Sequence, residues 1–476
     1  MPACPECHHP LTSEPPYPEW CPSCDWNVAR RPFIPRKTRF ARLQARLVRG
    51  LHEDVLRSHH TTPTPETGPF PRTAPPTEPG QAVGSGPSLR TAPLPETGQA
   101  LDIGHLPEAE RALNPGHVTQ TDHKRPAAPA GIARAIVFTL AVLTHLLTPA
   151  FLLLGIYLLT RGTLFAILPA LVALDLAWLL RPRAAPFPPD TRPLTRETAP
   201  HLFALLDRIG AEVDAPRTDI VAISGEVNAS SRTYGLRRRP VIEIGYPLWL
   251  ILTPQERIGL LAHELAHSSN GDSRHGFVVG SALHSLAVLH DVTRFDWREG
   301  DGVARFIAES LLAILGLPVR GLVAAMELLL YRSSQRAEYR ADELGARVAG
   351  APAMTSLLDA LNTRATSAVG FLRTSAHTTK PENLWTALRT AVDALPASEL
   401  ERRRRAARLE ELRVDSTHPP TYLRMEWVAA LPYEQGRVPA TDGPAIDKEL
   451  ESVALQVAQT LRENAQSALW SLTSAQ

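Results

Sequence analysis

An α+β fold, mainly helical, with a short β-sheet beside one histidine-bearing helix and a transmembrane helical hairpin ahead of it, is predicted by three observations. The apolar run Ile132 to Leu159 is long enough to cross a hydrocarbon core of about 30 Å as a helix, and Leu164 to Leu180 is near the lower limit for a passage back. The stretches TDIVAIS and VIEIG, residues 218–224 and 241–245, alternate as short strands do, with NASSRTYGLRRRP between them. A well-delimited helix then carries LLAHELAHSSNGD, Leu260 to Asp272.

With 476 residues the chain has room for two or three folded units. Its net charge of +1 gives no global electrostatic case for nucleic-acid binding. The basic runs Arg237 to Arg239 and Arg402 to Arg405 read as solvated turns and helix faces. The 44 prolines suggest a Pro-rich linker beside apolar segments, so one part of the chain is expected to lack a core.

All four cysteines fall in the first 24 residues, as Cys4-x-x-Cys7 and Cys21-x-x-Cys24. Two such knuckles can present four thiolates tetrahedrally, which predicts a structural zinc ribbon over residues 1–30. A pair of disulfides is the alternative, and the absence of an export signal in front argues against it. His8 and His9 are spare ligands with little left to bind. Residues 31–60 are basic with interspersed apolar positions, as in FARLQARLVRGLHEDVL, a candidate amphipathic helix for a membrane, a partner or solvent. Residues 61–130, rich in Pro, Thr, Gly and Glu, read as a disordered tether that leaves the ribbon independent of the rest of the chain.

The hairpin occupies residues 131–181. Lys124, Arg125 and Arg134 flank its start and Arg181 and Arg183 its end, against Arg161 alone in the connecting loop, so both ends are expected in the cytoplasm. That agrees with reduced cysteines. His145 and Asp175 lie within the spans and read as packing contacts to the soluble domain. A helix is expected over Thr198 to Val213, then a β-hairpin or meander, then the HELAH helix. Thr253-Pro254-Gln255-Glu256 supplies that helix with an N-cap, a first-turn proline and a capping-box glutamate, and Asn270-Gly271 a stop. His263 and His267 thus share one helical face, where two imidazoles can grip one zinc ion, with Glu264 placed to act as general base on a water that the ion activates.

The apolar segments 274–290 and 306–331 read as buried or membrane-associated helices; the second carries Glu309, Pro318, Arg320 and Glu327, and sequence does not decide whether either crosses the bilayer. Zinc needs a third protein ligand. In SSQRAEYRADELGA, Glu338 and Asp342 stand four apart on one face, where one carboxylate can bind metal and the other can orient a ligating imidazole. The same charges can equally make a solvated helix, pairing with Arg336, Arg340 and Glu343.

These motifs in this order, HELAH with NGD, RAEYRAD some seventy residues later and THPPTYLR at Thr417 to Arg424, make residues 132–431 resemble the HtpX and CAAX prenyl protease family of membrane zinc metallopeptidases, metallopeptidase family forty-eight. Asn228-Ala229 resembles the family's segment beside the substrate cleft. The resemblance implies a zincin-like domain over residues 190–431, zinc held by His263, His267 and Glu338, Glu264 as catalytic base and Asp342 as the partner behind the ligands. It also implies substrate or oxyanion contacts for His418, Arg424 and Asn228, although His418 and Arg424 can instead serve as structural hydrogen-bonding groups. Ser230 departs from the family, which often has an aromatic residue there, and this leaves specificity open. Residues 432–476 read as a helical extension without recognisable chemistry.

The expected protein is a multi-pass zinc metalloendopeptidase of the cell membrane with its N-terminus and catalytic domain in the cytoplasm. It takes one catalytic and one structural zinc, and acts on polypeptides, in a quality-control role that includes damaged or unassembled membrane proteins. Three alternatives remain in the sequence: cleavage of prenylated CAAX-type peptides, an inert membrane-tethered adaptor acting through the ribbon, and a ribbon that binds nucleic acid through Trp20 and Trp26. No lipid-specific motif, no lost ligand or base, and no dense basic surface supports them. The ribbon's own partner is not legible.

Overall fold

The computed structural model describes residues 2–12, 14–28, 50, 52–57, 130–183, 187, 190–235, 239–269, 273–297, 301–409 and 419–473. The expected tether, most of the amphipathic segment 31–60, the NGD stop and His418 lie outside the described residues.

Helices α1 (Ala130–Thr160) and α2 (Leu164–Leu180) form the expected hairpin, with Arg161 and Gly162 in the turn between them. Large apolar side chains such as Leu153, Phe165 and Leu168 point outward, as lipid-facing residues do. On its other side α1 packs against α6 (Ser273–Val292) and the first half of α8 (Leu317–Ala349) through Val137, Ala141, Ala282, Leu286 and Met326. His145 is a packing residue, with its Nε2 3.0 Å from both the Ser281 hydroxyl and the Val278 carbonyl. The apolar segment 306–331 is broken at Gly316 into α7 (Val303–Leu315) and the start of α8, and α7 buries none of its residues. By length and composition Ile132–Thr160 and the Val303–Ala349 stretch can each cross a membrane, whereas Leu164–Leu180 and Phe277–Val292 are shorter apolar helices.

Strand β1 (Arg192–Leu194) and helix α3 (Pro200–Val213) open the soluble part, followed by β2 (Ile220–Ser224), β3 (Ala229–Tyr234) and β4 (Arg239–Gly245) in a sheet of order β1-β2-β4-β3. β3 and β4 form an antiparallel hairpin, but the expected hairpin or meander of TDIVAIS with VIEIG is corrected. The two apolar stretches pair directly in parallel, Ile220 opposite Val241 and Ile223 opposite Ile244, and the segment read as their separator is itself the edge strand β3. The reason is burial: β2 and β4 are apolar enough to sit inside, and the polar ASSRTY suits an edge.

After the short α4 (Tyr246–Ile251), α5 (Pro254–Ser269) runs through the middle of the domain, with every residue from Glu256 to Ala266 buried. Its capping box is formed: Thr253 N donates to Glu256 Oε2 at 2.7 Å, and Glu256 N reaches back to the Thr253 hydroxyl at 3.4 Å. One side of α5 packs Ile258, Leu261 and Leu265 against the sheet and α3. The opposite side packs Leu260 against Met354, Leu357 and Leu358 of α9 (Ala351–Asn362). The remaining helices are α10 (Arg364–Ser375), α11 (Pro381–Asp393), α12 (Ala397–Leu409), α13 (Thr421–Ala429) and α14 (Gly443–Thr473). Ile446, Leu450, Val453 and Val457 of α14 belong to the same core as α3 and the sheet, and its Asp447 accepts from Arg257 at 2.7 Å and from the Trp249 indole at 2.9 Å.

Candidate metal centre and cleft

The buried run of α5 places His263 and His267 one turn apart with their ring centroids 4.7 Å apart. Helix α8 crosses α5 closely because glycines meet there. A Cβ on Gly345 would lie 3.4 Å from the Gly259 carbonyl oxygen, and one on Gly259 would already touch Met354 and Ala349 at 3.4 and 3.5 Å. That approach brings Glu338 of α8 over the two imidazoles. The three donor groups form a triangle, with one carboxylate oxygen of Glu338 facing each ring: His263 Nε2 to His267 Nε2 is 3.1 Å, His263 Nε2 to Glu338 Oε2 is 3.5 Å, and His267 Nε2 to Glu338 Oε1 is 3.4 Å. Ligands placed tetrahedrally at the zinc distance of about 2.0 to 2.1 Å stand about 3.3 to 3.4 Å from one another. Two imidazoles and one carboxylate at this spacing therefore fit a zinc ion, and they leave one position open.

Behind the triangle stands a chain of charges. His263 Nδ1 lies 3.0 Å from Asp342 Oδ1, and Asp342, with no exposed surface, accepts a fork from Arg424 at 2.8 and 2.7 Å. Burial favours the neutral His263 ring, but Asp342 and Glu338 more than offset this and push its pKa up to about 9. Proton and metal thus compete for one nitrogen.

Glu264, next to His263, lines a cleft of about 360 Å³ together with His263, Asn228 and Arg424. Asn228 is fixed by a close passage of backbone. Gly245 N donates to its carbonyl at 2.8 Å, and a Cβ on Gly245 would fall 1.7 Å from the Glu226 carbonyl oxygen. The cleft is also lined by Leu357, Leu358 and Leu361 of α9, Ala407 of α12, and Pro419 and Pro420. Of the residues expected at the site, His263, Glu264, His267, Glu338, Asp342, Arg424 and Asn228 come together in one place, and Arg424 reaches it chiefly through Asp342. Ser230 lies instead on β3 and accepts from Arg232 at 2.9 Å.

Two features escaped the sequence. Buried Glu256, besides closing the cap, accepts from Ser356 and Arg364 at 2.5 Å each and so ties α5 to α9 and α10. The Arg402 to Arg405 run is not a solvated face: Arg402 and Arg403 pair with Glu399, Arg404 with Asp359, and Arg405 with Glu401 and Asp25. Only the residue three before Arg402, an acidic partner at helical spacing, hinted at this.

At the N-terminus, Cys4, Cys7, Cys21 and Cys24 converge as free thiols, with Cys4 Sγ 3.6 Å from Cys24 Sγ and Cys7 Sγ 3.4 Å from Cys21 Sγ. Tetrahedral thiolates at a Zn–S distance of about 2.3 Å stand about 3.8 Å apart, so this set also fits zinc. Each knuckle closes the same way, His8 N to Cys4 O at 3.0 Å and Asp25 N to Cys21 O at 3.1 Å.

Residues 197–431 match the model of Peptidase family M48. Among the chain's relatives is a Protease HtpX homolog of Syntrophobacter fumaroxidans, 29% identical over 157 residues that cover 33% of this chain and 56% of that protein. A Protease HtpX homolog of Pelotomaculum thermopropionicum is 30% identical over 171 residues, 34% of this chain and 57% of the relative. Protease HtpX of Pseudomonas putida strain W619 is 31% identical over 144 residues, 29% and 46%. The chain spans about half the length of the curated relatives it matches. No solved structure gives a significant match.

Proposed function

We propose that this chain is a membrane-anchored zinc metalloendopeptidase of the zincin type, with His263, His267 and Glu338 holding the ion and Glu264 acting as general base. The observation that carries this reading is the donor triangle of 3.1 to 3.5 Å beside a cleft that Glu264 also lines. Bound there, zinc supplies Lewis-acid polarisation of the scissile carbonyl and makes water more acidic. Glu264 takes the proton of the attacking water and returns it to the leaving amine. Asp342, held by the Arg424 fork, fixes the tautomer of His263 so that Nε2 faces the ion.

The substrate is an extended polypeptide. Strand β3 is the edge of the sheet, its first residue Ala229 lines the cleft beside Asn228, and an edge strand binds a peptide through main-chain hydrogen bonds with little demand on side chains. That suits quality control of damaged or unassembled membrane proteins. The α1–α2 hairpin crosses the bilayer and returns, anchoring the domain with the N-terminus and the cleft both on the cytoplasmic side. The test is metal analysis combined with cleavage of an unfolded soluble protein in detergent. A purified chain that binds zinc through His263 and His267 and loses cleavage in Glu264→Gln supports the reading; cleavage that persists in Glu264→Gln overturns it.

A further inference from the structure

Helix α12 stands between the N-terminal ribbon and the cleft, and its four consecutive arginines, Arg402 to Arg405, divide between the two. Toward the ribbon, Arg402 donates to the Val28 carbonyl at 2.5 Å, and Arg405 donates to the Pro22 carbonyl at 2.5 Å and to Asp25 Oδ1 at 2.9 Å. The Arg405 guanidinium also lies 5.2 Å from the centre of the Trp20 ring, and Ser398 donates to Glu14 at 2.5 Å. Toward the cleft, Arg404 forks onto Asp359 at 2.7 and 2.8 Å and Arg403 donates to the Thr363 carbonyl at 3.0 Å, which pins α12 to the end of α9. Leu357, Leu358 and Leu361 of α9 and Ala407 of α12 are the cleft wall. Nearly buried Glu399 accepts from both Arg402 and Arg403 and so couples the two faces. A second arm of the same N-terminal region meets the domain at His52, whose Nδ1 is 3.1 Å from the Tyr339 hydroxyl and which is almost fully buried.

We propose that the arginine-rich face of α12 is a docking surface in cis for the metal-loaded ribbon, and that the docked ribbon holds one wall of the substrate cleft in place. This rests on the zinc peptidase reading for the meaning of the cleft, and it corrects the expectation that a tether leaves the ribbon independent. The acceptors that Arg405 uses, Pro22 and Asp25, belong to the Cys21 knuckle or adjoin it, with Asp25 in the left-handed conformation at φ 58° and its N–H bonded to the Cys21 carbonyl. They are displayed together only when that knuckle is closed. The ribbon's own core is little more than Cys4, Leu11 and Cys21, too small to fold without its ion. Loss of the ribbon's metal therefore removes the acceptors, frees Arg402 and Arg405, and loosens the wall. Since α12 touches the wall and not the reacting atoms, the effect falls on substrate binding.

The experiment uses the full chain in detergent carrying Glu264→Gln, so that it does not digest itself. Hydrogen exchange over residues 397–409 is compared in this parent, with Arg405→Ala, and with Cys21→Ser plus Cys24→Ser. Loss of one charge-assisted site is expected to lower protection there about tenfold or more. Bound zinc stays at two equivalents per chain in Arg405→Ala, which keeps the ribbon folded, and falls to one in the cysteine variant. In chains that keep Glu264, Arg405→Ala is expected to raise KM with kcat nearly unchanged, and Arg405→Lys, which keeps the charge and a donor, is expected to retain part of the protection. Unchanged exchange in both variants overturns the docking, and unchanged KM despite lost protection overturns the coupling to the cleft. If the chain with Glu264 cleaves nothing, the peptidase reading has failed, and the exchange comparison still decides whether the ribbon docks.

Discussion

At the scale of single residues, the proposed mechanism assigns ion binding and proton transfer to different side chains, and each role fails differently. Glu264→Gln keeps the shape of the side chain and leaves the donor triangle intact. Zinc is expected to stay bound while turnover falls at least about a hundredfold, measured by metal analysis and steady-state cleavage. Glu338→Gln replaces a carboxylate ligand with a neutral amide, so zinc content and activity are expected to fall together; full zinc in this variant would remove Glu338 from the ligand set. Arg424 acts at one remove. Arg424→Ala leaves Asp342 buried without its fork, which is expected to cost about 3 to 5 kcal/mol in denaturant unfolding, far more than a surface arginine. Arg424→Lys is expected to rescue little, because a single ammonium nitrogen does not reproduce the planar two-nitrogen fork that Arg424 lays on Asp342.

Among the elements, Gly245 sets a distance on which the cleft depends, whereas Gly259 has room for one methyl. A Cβ at Gly259 meets neighbours at 3.4 to 3.6 Å, which is ordinary contact, so Gly259→Ala is expected to keep zinc and to stabilise the central helix by about 0.5 to 1 kcal/mol. Gly259→Leu has no such room; it should push α8 away and lower both zinc content and the unfolding midpoint. Gly245 is less forgiving, since even a methyl would overlap the Glu226 carbonyl. Gly245→Ala is expected to cost about 1 to 3 kcal/mol and to raise KM by shifting Asn228, while zinc remains bound. Equal KM in Gly245→Ala and the parent would show that Asn228 plays no part in holding substrate.

For the whole molecule, the prediction is topological. Reporter fusions after residue 120 and after residue 215 are expected to report the same, cytoplasmic, side, because the basic residues flank both ends of the hairpin. Opposite orientations would mean that α2 does not complete a passage.

What the sequence determined by itself is what short-range chemistry dictates. The HELAH helix, its Thr253 cap, the histidine pair with Glu264 beside it, the two cysteine knuckles and the apolar hairpin all depend on residues within a few turns of one another, where spacing alone sets geometry. Glu338 and Asp342 were legible as one helical face, but a charged face has many uses, and only the close crossing of α5 and α8 at Gly259 and Gly345 brings them to the histidines. The parallel pairing of β2 with β4 was hidden because alternation shows that a strand forms and not which strand it joins. The same limit hid the arginines of α12. Four adjacent positive charges look solvated until the fold sets Asp359 on one side of them and a ribbon more than 370 residues away in sequence on the other. Partners that distant are selected by the packing of the whole chain, which no local pattern encodes.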